Sequence, residues 1–252
     1  MAIRTACLSM LMFVGIVAPA PADINVLSTI REVQAFVLDQ PLHSFSHNPP
    51  GWGEVGIQES GVEAVDHGDH IHTLTVAAVA KSSGGIHSLD PSAMVGQGES
   101  ILVAIYDGEA AINVPAQADS LLELLFEVTA DGKYQLQAEL GWLEDNSFFS
   151  GYSQLQLLDN SDATIVAQVS HSSTTPGTSG FASILELEQG ITYLFRAEAH
   201  IFGGSVGFTP EHVSESNWSF RLEPIPEPAA IVLLSLGLGG SLPWRRPGRR
   251  MR

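Results

Sequence analysis

The sequence predicts an all-β protein: one antiparallel β-sandwich or jelly roll spanning residues 23–223. Three observations lead there. Apolar and polar residues alternate with a period of two along several segments. Gly- and Asx-containing turns separate those segments at intervals of about ten residues, the spacing of a sandwich rather than of helices. Charged residues make up only 15% of the chain while 24 glycines are scattered along it, which does not suit a helical bundle.

In chain order, strands are expected at 30–38, 71–80, 100–106, 121–129, 133–141, 153–158, 163–170, 183–187, 191–200 and 217–223. The clearest is 133–141, where Tyr134, Leu136, Ala138 and Leu140 share one face and Lys133, Gln135, Gln137 and Glu139 the other. Segment 191–200 turns Tyr193, Phe195, Ala197 and Ala199 inward and leaves Arg196, Glu198 and His200 on its outer face. Segment 217–223 does the same with Trp218, Phe220 and Leu222. Asp131-Gly132 reads as a hairpin turn, Asp159-Asn160-Ser161-Asp162 joins the next two strands, and Glu188-Gln189-Gly190 the pair after that. Residues 42–68 and 81–98 are expected to be irregular.

The two ends read as targeting segments. Residues 1–22 have the order of a secretory signal: Arg4, an apolar run from Leu8 to Val17, then Ala20-Pro21-Ala22 with small residues at −3 and −1. Signal peptidase of the general secretion machinery is expected to cut before Asp23. Residues 224–252 hold Pro226-Glu227-Pro228, an apolar transmembrane stretch at 229–244, and a basic end at 245–252 with Arg245, Arg246, Arg249, Arg250 and Arg252. As a helix the apolar stretch spans ~24 Å, short of the ~30 Å hydrocarbon core. The arginines are expected to stay cytoplasmic.

That order of motif, short apolar stretch and terminal arginines resembles the PEP-CTERM sorting signal of Gram-negative bacteria. The resemblance implies export across the inner membrane and a transient anchor there. It also implies processing at Pro226-Glu227-Pro228 by exosortase, a membrane-embedded transpeptidase, with the protein ending at the cell surface or outside. Pro243, inside the apolar stretch, departs from the pattern and shortens the helix further. The segments FEVTADGKYQL, SQLQLLDNSDATIVAQ and ILELEQGITYLFRAEA resemble strands of the β-sandwich ectodomains common ahead of such tails. In outline they are similar to bacterial pre-peptidase C-terminal domains.

Charge narrows the function classes. All 28 acidic residues lie between Asp23 and Glu227, with five basic ones, so the exported part carries −23. Such a field repels phosphate backbones and excludes a nucleic-acid partner. The single cysteine, Cys7, lies in the signal, which leaves the mature chain without a thiol nucleophile or a cysteine zinc site.

Three constellations carry possible chemistry. Asp66, His67, Asp69, His70 and His72 supply imidazole and carboxylate for a divalent metal, although an acidic loop before a strand is also ordinary surface. Asp107-Gly108-Glu109 and Asp159-Asn160-Ser161-Asp162 offer hard oxygens for calcium but lack the spacing of a calcium loop. Trp52 and Trp142, the latter with Phe148, Phe149 and Tyr152 nearby, are candidates for stacking on sugars. Enzyme signatures are missing: no Gly-x-Ser-x-Gly, no His-Glu-x-x-His, no phosphate loop, no dinucleotide fingerprint. The expected function is therefore a structural or adhesive surface or matrix protein without a cofactor. The alternatives are a carbohydrate-binding module for exopolysaccharide and a metal-binding or hydrolytic exoprotein.

Overall fold

The computed structural model describes residues 23–226 except 39, 47, 49–51, 67–69, 88, 109–111, 146–148, 173, 175 and 207–210. The strands are β1 (Ile24–Val37), β2 (His43–Ser46), β3 (Gly53–Asp66), β4 (Ile71–His87), β5 (Asp90–Tyr106), β6 (Ile112–Asn113) and β7 (Ala116–Val128). They continue with β8 (Gly132–Asp145), β9 (Ser150–Asp159), β10 (Thr164–Ser172), β11 (Gly177–Leu187), β12 (Thr192–Phe202), β13 (Ser205–Val206) and β14 (Glu211–Pro224). Two six-stranded sheets face each other, a front sheet in the order β10-β9-β12-β7-β1-β2 and a back sheet in the order β11-β8-β14-β5-β4-β3. All the pairings are antiparallel. The expected all-β sandwich is what the chain forms, as one unit over Ala22–Ile225.

Alternation sends one side of the long central strands inward. Tyr134, Leu136 and Leu140 of β8 meet Phe126 of β7, Phe195 of β12 and Phe220 of β14 in one apolar cluster. Val33, Leu74, Val76, Tyr106, Trp142 and Ile201 form a second. A belt of small and polar residues runs between the two. Its hydroxyls reach across the sandwich to backbone carbonyls of the opposite sheet. Ser82 donates to Leu121 (2.8 Å), Ser120 to Lys81 (2.6 Å), Ser100 to Ala199 (3.0 Å) and Ser216 to Tyr152 (2.9 Å). A serine side chain is short, so these bonds require the sheets to come closer than the ~10 Å usual for stacked sheets. Glycines permit it: a Cβ on Gly98 would lie 2.4 Å from Ser120 Oγ of the front sheet, and one on Gly84 2.5 Å from Leu122 of the same sheet.

Two expectations are corrected. Among the described residues, 42–68 and 81–98 are largely strand, containing β2, all of β3, the end of β4 and the start of β5. Their pairings set small residues against each other, with Gly53 opposite Gly84 and Gly84 opposite Gly96. β2 and β3 are largely exposed edge strands, and Gly84 and Gly96 lie against Leu122 of the other sheet, so neither segment shows strong apolar alternation of its own. The Asp131-Gly132 turn does not make a hairpin either. It carries the chain from β7 in the front sheet to β8 in the back sheet, as Glu188-Gln189-Gly190 carries β11 back to β12. Of the three expected turns, only 159–162 closes a hairpin, between β9 and β10.

The strand directions define two poles. The chain enters at Asp23, which exchanges hydrogen bonds with Thr129: the Asp23 amide donates to Oγ1 (2.9 Å) and the Thr129 amide to the Asp23 carbonyl (3.0 Å). It leaves at Ile225, whose amide donates to the Lys133 carbonyl (2.8 Å). Entry and exit therefore flank the same β7–β8 turn. The β3–β4 connection and Asp107 lie at the opposite pole. The expected signal with Ala20 and Ala22 lies outside the described residues. So do Glu227, Pro228, the apolar stretch and the basic end with Arg245 and Arg246.

Candidate functional site

The expected sugar-stacking tryptophans part company. Trp52 is about half exposed, ahead of β3. Trp142 is buried at 2%. The correction follows from strand length: β8 continues past Leu140, so Trp142 falls on the inward parity of Tyr134, Leu136 and Leu140. Gly151 of β9 makes room for it, since a Cβ there would lie 2.6 Å from the indole. Phe149 is buried too, whereas Tyr152 is 37% exposed on the outer face.

The expected metal ligands gather only in part. His70 and His72 have ring centroids 6.4 Å apart, and His72 Nδ1 is 3.5 Å from Asp107 Oδ1. Asp66 pairs with Ile71 across the mouth of the β3–β4 connection. His67 and Asp69 lie outside the described residues. Among the described residues no three His, Cys, Asp or Glu side chains come together as a metal shell. The turn carboxylates serve their own backbone. Asp159 Oδ1 accepts from the Ser161 amide (2.8 Å) and hydroxyl (2.6 Å), and Asp162 Oδ1 from the Thr164 amide (2.9 Å). The Thr164 bonds hold the Asp162 carboxyl below its ordinary value. Asp107 Oδ1 accepts from the Thr73 amide (2.6 Å).

The richest constellation lies on the outer face of the front sheet, where the register aligns outward positions of β9, β12, β7 and β1 into rows. One row is Tyr152, His200, Asp119 and Gln34; the next is Gln154, Glu198, Leu121 and Glu32. Beyond the first row stand Phe202, Gln117 and Phe36. The His200 ring centroid is 5.4 Å from that of Tyr152 and 5.4 Å from that of Phe202. The polar groups hold one another: Gln34 Nε2 donates to Glu32 (2.8 Å), Gln117 Nε2 to Asp119 (2.5 Å) and Arg196 Nη2 to Glu198 (3.0 Å). His200 Nδ1 is hydrogen-bonded to Asp119. Arg196 Nε, 3.7 Å from Glu123, is buried without a hydrogen-bond partner among the described residues. Tyr152, His200, Glu198, Arg196, Asp119 and Glu32 are among the residues lining a shallow cavity of about 170 Å³, with Phe202 and Gln117 outside its lining. Burial first, then the nearby Glu198 carboxylate, pushes the Tyr152 phenol above its ordinary value, so it stays a neutral hydroxyl there. Alternation along β12 alone sets Arg196, Glu198 and His200 on one outer face. The cross-strand partners that complete the site come only from register.

A second hollow, of about 500 Å³, lies on the outer face of the back sheet, lined by Glu54, Lys81, Gln97, Glu99 and Asn217 among others. Its aromatic, Trp218, is 1% exposed and presents no ring face.

No protein family and no curated protein matches the chain. Among solved structures it is similar to the carbohydrate-binding module CBM6cm-2 of Cellvibrio mixtus lichenase 5A in complex with cellotriose, at 12% identity and a TM-score of 0.24, over 48% of this chain and 89% of that one. It is also similar to the C-terminal CBM6 of LamC from Zobellia galactanivorans (13% identity, TM-score 0.20, 68% of this chain and 99% of that). A third is the VP2 subviral particle of infectious bursal disease virus (12%, 0.22, 88% and 74%). At these scores the likenesses carry no argument about ligand or site.

Proposed function

We propose that the chain is an exported surface or matrix protein whose sandwich has a structural or adhesive role and no catalysis of its own. In this reading signal peptidase cuts before Asp23, and exosortase recognises Pro226-Glu227-Pro228 and frees the domain from its anchor. The observation that supports it is where the fold starts and stops. Among the described residues the first strand begins at Ile24 and the last ends at Pro224, both at one pole and close in sequence to the two expected cuts. Cleavage at either point breaks no strand pairing among the described residues.

Mass spectrometry of the mature protein from a host containing exosortase tests this. The expected product begins at Asp23 and lacks residues beyond about Pro228. Arg-rich C-terminal peptides on surface-located protein would overturn the processing step. Carbohydrate binding is the second reading, favoured by the exposed ring cluster and paired polar groups on the front sheet.

A further inference from the structure

We infer that the outer face of the front sheet binds a neutral, hydroxyl-rich glycan chain, with one sugar ring in the Tyr152–His200–Glu198 cavity and the chain continuing over Phe202. The inference rests on the adhesive reading above and gives it a ligand class and a place.

The size of the hollow is the first argument. At about 170 Å³ it is smaller than the roughly 300–1,000 Å³ of sites that enclose a whole drug-sized ligand. It suits one ring of a longer chain lying across the surface. The rings are the second. Tyr152 (37% exposed) and Phe202 (44%) flank His200 at 5.4 Å on each side, and their faces offer apolar contact to the C–H side of a sugar.

Charge decides between glycans. Glu32, Asp119 and Glu198 outnumber Arg196 and His200 around the cavity, so a uronate or phosphate-bearing chain is repelled. A bare cation fits no better, because the three carboxylates already accept from Gln34, Gln117, His200 and Arg196. Neighbouring donors and acceptors of this kind match hydroxyls, which both donate and accept.

Rigidity is the third argument. Tyr152, Ala199 and Leu121 line the cavity, and their carbonyls accept from Ser216, Ser100 and Ser82 of the back sheet. The floor of the site is thus pinned from behind by the polar belt, which lowers the ordering cost of binding. The back-sheet hollow has no exposed ring face and makes a control.

Isothermal titration calorimetry of the full-length chain in detergent against cellohexaose, laminarihexaose and mannohexaose, with hexagalacturonate as the anionic probe, tests the site. At least one neutral chain is expected to give saturable heat and the anionic one none. Tyr152→Ala and Phe202→Ala should each weaken binding at least tenfold with unchanged circular dichroism, while Gln97→Ala in the back-sheet hollow leaves it unchanged. Absence of binding to all three neutral chains overturns the inference, as does undiminished binding by the Tyr152→Ala, Phe202→Ala double variant. Export and tail processing are read separately. A correctly processed surface protein that binds no neutral chain would overturn the glycan site and leave the surface role standing.

Discussion

Arg31 of β1 crosses the interior and donates both Nε (3.3 Å) and Nη2 (2.7 Å) to the carbonyl of Gly84 on β4, in the opposite sheet. It is fully buried, and burial lowers its guanidinium below the ordinary value. The space comes from Gly53, where a Cβ would stand 3.0 Å from the guanidinium carbon. Truncation removes a charge-assisted hydrogen bond and leaves a cavity at once. Arg31→Ala is expected to lower stability by about 3 kcal/mol in urea unfolding. Arg31→Met, which refills the volume without a charge, should recover part of that loss.

The glycine trough makes a second prediction. Gly98 pairs with Trp218, and an added Cβ would meet both the indole and Ser120 Oγ at 2.4 Å. Gly98→Ala should cost about 1–3 kcal/mol through overpacking. The cost should shrink in part when Trp218 is replaced by Leu, because one of the two clash partners is gone while Ser120 Oγ remains. A double-mutant cycle measured by denaturant unfolding checks the coupling.

Much of the sandwich is written in local alternation. Tyr134-x-Leu136-x-Ala138-x-Leu140 and Tyr193-x-Phe195-x-Ala197-x-Ala199 each state a strand and its inward face, and β8 and β12 follow both. What alternation does not state is how far a strand runs or which sheet it joins. Asp131-Gly132 has the turn chemistry of a hairpin, yet β7 and β8 find their partners elsewhere, since pairing is settled by distant strands. Gly84, Gly96 and Gly98 have no side chain to show a pattern, and their burial comes from Leu122, Phe220 and Trp218. The front-sheet site was half legible for the same reason: Glu198 and His200 share a strand, while Tyr152 and Asp119 join them through register.

The two candidate tryptophans should separate cleanly in stability. Trp142 is buried beside Gly151, and Trp142→Ala should destabilise by about 3–5 kcal/mol. Trp52 is 48% exposed, and Trp52→Ala should stay within about 0.5 kcal/mol. Thermal and urea unfolding of the two variants decide it, and equal losses would contradict the inward parity of Trp142.

Alkaline pH should unfold the sandwich through phenols whose ionisation the fold opposes. Burial, more than the nearby Asp23 charge, pushes the Tyr134 hydroxyl from 10.0 to about 12. Tyr193 is raised mainly by burial, and so is Tyr152. In the unfolded chain these groups ionise near their ordinary value, so above it the unfolded state sheds protons that the folded state keeps. Their contribution is full below pH 10 and is lost as pH rises through the folded values. The melting temperature should hold from pH 7 to about 9 and fall between about 10 and 12. Tyr134→Phe removes the largest of the three shifts and gives up only a long 3.5 Å bond to the Ala130 carbonyl. It should leave the neutral-pH melting temperature nearly unchanged and flatten the alkaline slope. An unchanged slope in that variant would show that the alkaline loss comes from groups other than Tyr134.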